Sequence, residues 1–268
     1  MRISIIGAGR VGKTLGRLAR EAGYEVGDVI CRSRGSARTA ARFIGAGRAQ
    51  PFDGARLLPA DLLLISTPDD HIGRAVSLLQ SNSDDLKGAV ALHTSGALSS
   101  EALSPLADCR MSTGSCHPLQ TFAVPARALA LVRRSYFCIE GQPRAVRAAR
   151  RLVRSIGARH FEVPTHMKPL YHAAAVLASG GVVSLLSVSL EALARCGLDE
   201  KQSRKVLLPL VEGTVENVRA VGHVRALTGP VQRGDRKTIE RNMEALARID
   251  ERWLQIYRSL AGLAATSA

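Results

Sequence analysis

The stretch from Met1 to Gly16 constrains the fold more tightly than any other part of the chain. A short apolar run, Ile3, Ile5 and Ile6, enters Gly7-Ala8-Gly9-Arg10-Val11-Gly12, and an Ala- and Leu-rich segment of helical character continues to about Ala22. Strand, glycine turn and helix in this order build a site for a dinucleotide pyrophosphate. Gly7 permits the tight turn. Gly9 has no Cβ, so a phosphate can approach the backbone, and Gly12 lets the helix pack closely on the strand. The helix N-terminus then offers free N–H groups and a partial positive charge to an anion.

The next segments extend this unit. Glu25–Cys31 reads as a second strand. An acidic residue at its end would take a ribose 2′-hydroxyl, but Arg32-Ser33-Arg34 stand there. Two guanidinium groups and a hydroxyl suit a 2′-phosphate, because Arg makes charge-assisted and often bidentate bonds to phosphate. The expected cofactor is therefore NADP(H) rather than NAD(H). Residues 35–44 read as a short helix. Residues 60–67 are a continuous apolar run, the signature of a buried parallel strand. That run ends at Thr67 and Pro68, further cofactor contacts. Residues 88–96 repeat the pattern, with His93, Ser95 and Gly96 expected to face the same crevice; Ser95 and Gly96 join the cofactor set. A third polar strand end, residues 111–122, brings His117 and Gln120 to that edge. Residues 135–140, an Arg-rich helix over 143–156 and residues 158–163 form a last strand–helix–strand unit. Beyond Pro164-Thr165 only helical periodicity remains, over 166–196, 199–221 and 235–262. Gly197 and Gly222 suit C-terminal caps of the first two, and Asp199 and Asp235 suit N-caps of the second and third. The fold class is α/β: a Rossmann-type parallel-sheet domain over 1–164, followed by an all-helical domain over 165–268.

Composition narrows the partners. The net charge is +14. Its densest cluster, Arg144, Arg147, Arg150, Arg151 and Arg154, lies at helical spacing without interleaved aromatics. A solvated helix face explains it better than a nucleic-acid stripe, so no nucleic-acid partner is expected. The apolar run near 173–190 is broken by Ser and Gly, so no membrane span is expected, and the first strand begins the chain, so no signal peptide is expected. Five cysteines, with no CxxC pair, suit a reducing cytoplasm without a zinc or other metal site.

Four motifs carry a resemblance to a known family: Gly7–Gly12, Ser115-Cys116-His117-Pro118-Leu119-Gln120-Thr121-Phe122, the segment Tyr171–Ser179, and the segment Leu227–Asp235. Together they resemble the Rossmann-like proteins that carry a C-terminal DUF2520 domain, across essentially the whole chain. The resemblance implies an NADP-dependent oxidoreductase. It lies near pyrroline-5-carboxylate reductases, F420-dependent NADP oxidoreductase-type domains and β-hydroxyacid dehydrogenases, and its helical domain dimerises. It names no substrate. β-Hydroxyacid dehydrogenases place a catalytic Lys four residues before an Asn on the first interdomain helix; here Lys168 has His172 at that spacing.

The expected function is hydride transfer between NADP(H) and a small carbonyl, hydroxy-acid or imine substrate. Lys168 and His172 are the catalytic candidates, because Lys168, His172, Ala175 and Ser179 share one helix face at offsets of three and four. His117, Ser179, Thr228, Gly229 and Arg233 are the substrate-binding candidates. The alternative is a regulatory protein that binds NADP(H) without turnover.

Overall fold

Eight strands form the N-terminal part of the computed structural model, which describes residues 1–267. They are β1 (Arg2–Ile6), β2 (Glu25–Cys31), β3 (Arg48–Pro51), β4 (Leu62–Ile65), β5 (Val90–His93), β6 (Ser112–Leu119), β7 (Tyr136–Gly141) and β8 (Arg159–Glu162). They make one sheet in the order β3-β2-β1-β4-β5-β6-β7-β8. Neighbours are parallel throughout except β6 and β7, which run antiparallel with Leu119 opposite Tyr136. Side chains alternate across the sheet. Ile3, Ile5, Leu62 and Leu64 enter one apolar core with α1 (Arg10–Glu21), α2 (Arg34–Ile44) and, further along the chain, α4 (Pro125–Val132) and α5 (Pro143–Ser155). Ile6, Leu63 and Ile65 enter the other, with α3 (Ile72–Gln80) and the 3-10 segment Ser100–Leu106. Burial on both faces is why the strands read as apolar runs.

Three elements of this region were not legible as such. β3 is polar (Arg-Ala-Gln-Pro), and hydrogen bonds hold it in place. The buried Asp28 carboxylate accepts from Arg48 Nε at 2.7 Å, Gln50 Nε2 at 2.8 Å and Leu58 N at 2.7 Å. α4 starts at Pro125, whose fixed φ suits a first helical turn. The segment Ser100–Leu106 is 3-10 rather than α.

The chain divides into two compact units, Met1–Ser179 and Gly180 onward. Residues 165–179, placed in the helical domain by the sequence, fall in the first unit. The first helical stretch is composite: a 3-10 turn (Thr165–Met167), α6 (Lys168–Val176), a π turn (Leu177–Gly181) and α7 (Val182–Arg195). The stretch stays helical through its Ser and Gly residues. Contrary to the expectation of no membrane-spanning run, Thr165–Arg195 is long and apolar enough to cross a membrane by length and composition. α8 (Glu200–Ala226) opens with a capping box between Asp199 and Gln202 and consists of two helical segments that meet at a kink at Gly222, whose φ of 80° and ψ of 164° are non-helical, so Gly222 ends the first segment as expected. The expected helix over 235–262 is two helices, α9 (Arg236–Ala247) and α10 (Glu251–Ser267). The break falls at Asp250, whose side chain accepts from Arg252 N at 2.8 Å and so caps a new first turn. Asp235 caps α9 through Thr238 N.

Candidate active site

The strand order reverses between β1 and β4, the place where parallel sheets bind ligands beyond the carboxyl ends of their strands. A cleft of about 620 Å³ opens there. Gly7, Ala8, Gly9, Arg32, Thr67 and Pro68 line it, joined by Ser36, His71 and Arg74. The three glycines differ in what constrains them. Gly7 has φ of 83°, and a Cβ on it would lie 2.6 Å from Thr67 N. A Cβ on Gly12 would strike Ser66 Oγ and come within 2.9 Å of the Gly7 carbonyl. At Gly9 the nearest atom to such a carbon is 3.9 Å away. Packing therefore demands the first and third glycines, while the bare face of the second is open to a ligand.

Arg10, Val11 and Gly12 form the first turn of α1, which no side chain caps. Its leading amides are left for an anion. Thr67 Oγ1 is buried and has no hydrogen-bond partner, so a polar ligand atom beside it would complete it. The glycine-lined cradle and this orphaned hydroxyl fit a dinucleotide. Among the arginine-loop residues, Arg32 lines the cleft. Ser33 Oγ instead accepts from Ser36 N at 3.2 Å and caps α2, and Arg34 begins that helix outside the cleft lining.

A second cluster gathers where β5 and β6 meet α6. His93 does not face the crevice as expected. It is fully buried, Nε2 lies 2.9 Å from the Ser99 carbonyl, and Nδ1 accepts from Ser95 N at 3.2 Å. Burial lowers its pKa to about 4, so it is a neutral brace for the loop. The Ser95 hydroxyl donates to Asp69 Oδ2 at 2.9 Å, joining the loop after β4 to the loop after β5. Lys168, a residue type that is usually exposed, has no accessible surface. Its ammonium donates to the Ser95 carbonyl at 3.1 Å and to Ser115 Oγ at 2.9 Å, and it lies 5.5 Å from the centre of the Tyr171 ring. Burial lowers its pKa, against the opposing pull of Cys138, Glu140, Cys116 and Asp69.

Above this ammonium, His117 Nδ1 lies 2.7 Å from the Tyr171 hydroxyl, and the His172 ring meets His117 edge-on at 5.9 Å. Burial, reinforced by the Lys168 charge, brings the His117 pKa to about 3. Gly96 makes room for both rings, since a Cβ there would strike His172 Cδ2 and sit 2.8 Å from His117 Nε2. Glu140 fixes the entry to α6. It accepts from Ser100 N at 2.8 Å, Ser100 Oγ at 2.7 Å and Thr165 Oγ1 at 3.0 Å.

The structure thus brings Lys168, His172, His117, Ser95 and Gly96 together. Ser179 does not join the α6 face: the π turn at Leu177–Gly181 breaks the three- and four-residue spacing, and Ser179 is exposed. Thr228, Gly229 and Arg233 belong to the second unit, in the turn that leads to α9. Sequence reasoning missed Tyr171, Ser115 and Glu140 as site residues. Tyr171 and Ser115 were inside recognised motifs, but nothing local marks their long-range partners.

Residues 1–119 match the model of a Rossmann-like domain, and residues 135–263 match that of DUF2520, a domain of unknown function. The chain carries both domains. No curated protein matches its sequence. Among solved structures, protein TM1727 from Thermotoga maritima is 27% identical with a TM-score of 0.78, over 99% of this chain and 98% of that one. Protein BF3122 from Bacteroides fragilis, provisionally described as an NADP oxidoreductase, is 23% identical with a TM-score of 0.79, over 99% and 98%. An imine reductase from Myxococcus stipitatus in complex with NADP+ shares the fold at 14% identity and a TM-score of 0.65, over 99% and 92%.

Proposed function

We propose that the chain is an NADP(H)-dependent oxidoreductase acting on a small carbonyl, hydroxy-acid or imine substrate. The observation that carries this reading is the cleft at the strand-order reversal. It combines a bare Gly9, uncapped α1 amides, an orphaned Thr67 hydroxyl and Arg32 at its margin. Gly7–Gly12 would hold the pyrophosphate, and Arg32, with Arg34 nearby in sequence, would hold the 2′-phosphate. The solved structures described with NADP support the choice of cofactor. When bound, NADP(H) supplies the hydride chemistry. The protein then orients the substrate and manages one proton. His172 is the proposed proton donor at the crevice. Lys168, buried in the same cluster, stabilises negative charge that develops on the substrate. Thr228, Gly229 and Arg233 remain proposed substrate contacts. We further propose a cytoplasmic homodimer assembled through the helical unit, without nucleic-acid or membrane partners.

One observation favours a second reading, a regulatory protein that binds NADP(H) without turnover. Two of the three N–H donors of the Lys168 ammonium go to protein acceptors, as those of a structural tie would.

The test is binding, then turnover. NADPH should bind the wild type more tightly than NADH. The double variant Arg32→Ala/Arg34→Ala should lose about 1.5–3 kcal/mol of NADPH affinity, as expected for charge-assisted bonds. Equal wild-type affinity for the two cofactors would overturn the NADP assignment. NADPH oxidation against small 2-oxo acids and cyclic imines separates the enzyme from the regulator. For the enzyme, His172→Ala should cut kcat by roughly 10²–10⁴ while NADPH binding persists.

A further inference from the structure

The two ring nitrogens of His117 have different surroundings. Nδ1 is held by the Tyr171 hydroxyl at 2.7 Å. Nε2 has no protein hydrogen-bond partner among the described residues and lies against the open face of Gly96, beside the His172 ring. Tyr171 cannot easily swing away. Its ring packs edge-on against Phe161 at 5.7 Å, and the Lys168 ammonium lies 5.5 Å from its centre.

We infer that Tyr171 donates its hydroxyl proton to His117 Nδ1, fixing the neutral Nε2–H tautomer, and that this N–H binds a carbonyl or carboxylate oxygen of the substrate. The substrate part rests on the proposed reduction at these strand ends; the tautomer does not. The direction of the bond follows from donor and acceptor strengths. The phenol has one proton and two neighbours that could accept it, His117 Nδ1 and the Cys138 sulfur. An imidazole nitrogen accepts well and a thiol sulfur weakly. Burial raises the Tyr171 pKa, so the phenol keeps a proton to give. His117 is pushed toward its neutral form by the same burial and by the Lys168 charge. A neutral ring that accepts at Nδ1 must carry its own hydrogen on Nε2.

The surrounding charges select the substrate class. The two carboxylates whose charge reaches Lys168 accept hydrogen bonds elsewhere, Asp69 Oδ2 from Ser95 and Glu140 from Ser100 and Thr165. A protonated imine would meet an N–H donor beside a buried ammonium, neither of them in hydrogen-bonding contact with a carboxylate. An oxygen acceptor is complemented by both. Tyr171 is thus a positioning residue acting through His117, and the site suits 2-oxo acids over iminium ions.

The experiment is long-range ¹H–¹⁵N NMR of protein carrying ¹⁵N-imidazole histidine, with His117 assigned through His117→Gln. At pH 7 the expected His117 pattern is the neutral Nε2–H tautomer. Tyr171→Phe should give a mixture of tautomers with an unchanged NADPH Kd. With NADPH present, pyruvate should move the Nε2 resonance and 1-pyrroline at equal concentration should not. An Nδ1–H tautomer, an imidazolium, or an unaltered Tyr171→Phe spectrum would overturn the lock. A response to 1-pyrroline alone, or to neither compound, would overturn the substrate class. Failure of NADPH to bind while the Nε2–H pattern stands would sink the oxidoreductase reading and leave the Tyr171–His117 assignment supported.

Discussion

Lys168 is a buried ammonium whose bonds go to a carbonyl and a hydroxyl, with no carboxylate in hydrogen-bonding contact. Burying a charge on neutral acceptors is costly, and the cost falls if the proton leaves. Its folded-state pKa lies below the ordinary 10.5. Between those two values the unfolded chain binds more protons than the folded one, so stability rises with pH through that window and levels off above 10.5. Lys168→Met, which keeps the chain's length without the charge, should lack this contribution. Urea unfolding of both proteins from pH 7 to pH 10 should show the wild type gaining on the variant as pH rises. Parallel curves would mean that the ammonium is not desolvated. The spacing of Lys168 and His172 was legible because helical neighbours four apart need only sequence to be recognised. The Tyr171–His117 bond was not, because it spans 54 positions and no local pattern records it.

Among elements, legibility followed the source of stability. β1, β4 and β5 are specified by largely apolar runs buried on both faces, and the sequence carries that signal directly. β3 depends on hydrogen bonds to a single buried carboxylate, which leaves no hydrophobic trace. The break between α9 and α10 depends on Asp250, without the glycine or proline that marks most helix ends. α8 shows the opposite case. Its Asp199 and Gln202 satisfy each other's backbone amides, a pairing readable from a four-residue window. Asp199→Ala should therefore destabilise the protein by about 1 kcal/mol, measured as a lower midpoint in chemical denaturation with unchanged slope. An unchanged midpoint would mean that α8 is held by packing alone.

At the scale of the whole molecule, the helical unit leaves much apolar surface exposed. Leu210 is 67% exposed and Val183 62%, with Val206, Val215, Val218 and Val221 also exposed. Surface of this kind marks an interaction site in a soluble protein. The proposed occupant is a second copy of the chain. Static light scattering of the 28.6 kDa chain at micromolar concentration should give twice the monomer mass. A monomer would refute the dimer. Co-flotation with lipid vesicles would instead point to Thr165–Arg195 as a membrane-associated segment.

The missing side chain at Gly96 also limits how this chain can change by descent. Its vacant volume is shared by the His117 and His172 rings, which arise from a strand and a helix well separated in sequence. Any step away from glycine forces one of the two rings to shift. Enlarging position 96 without displacing a ring requires a smaller residue at 117 or 172, which removes a group from the cluster. The three positions are therefore sterically coupled, and a change at one is expected to require a change at another.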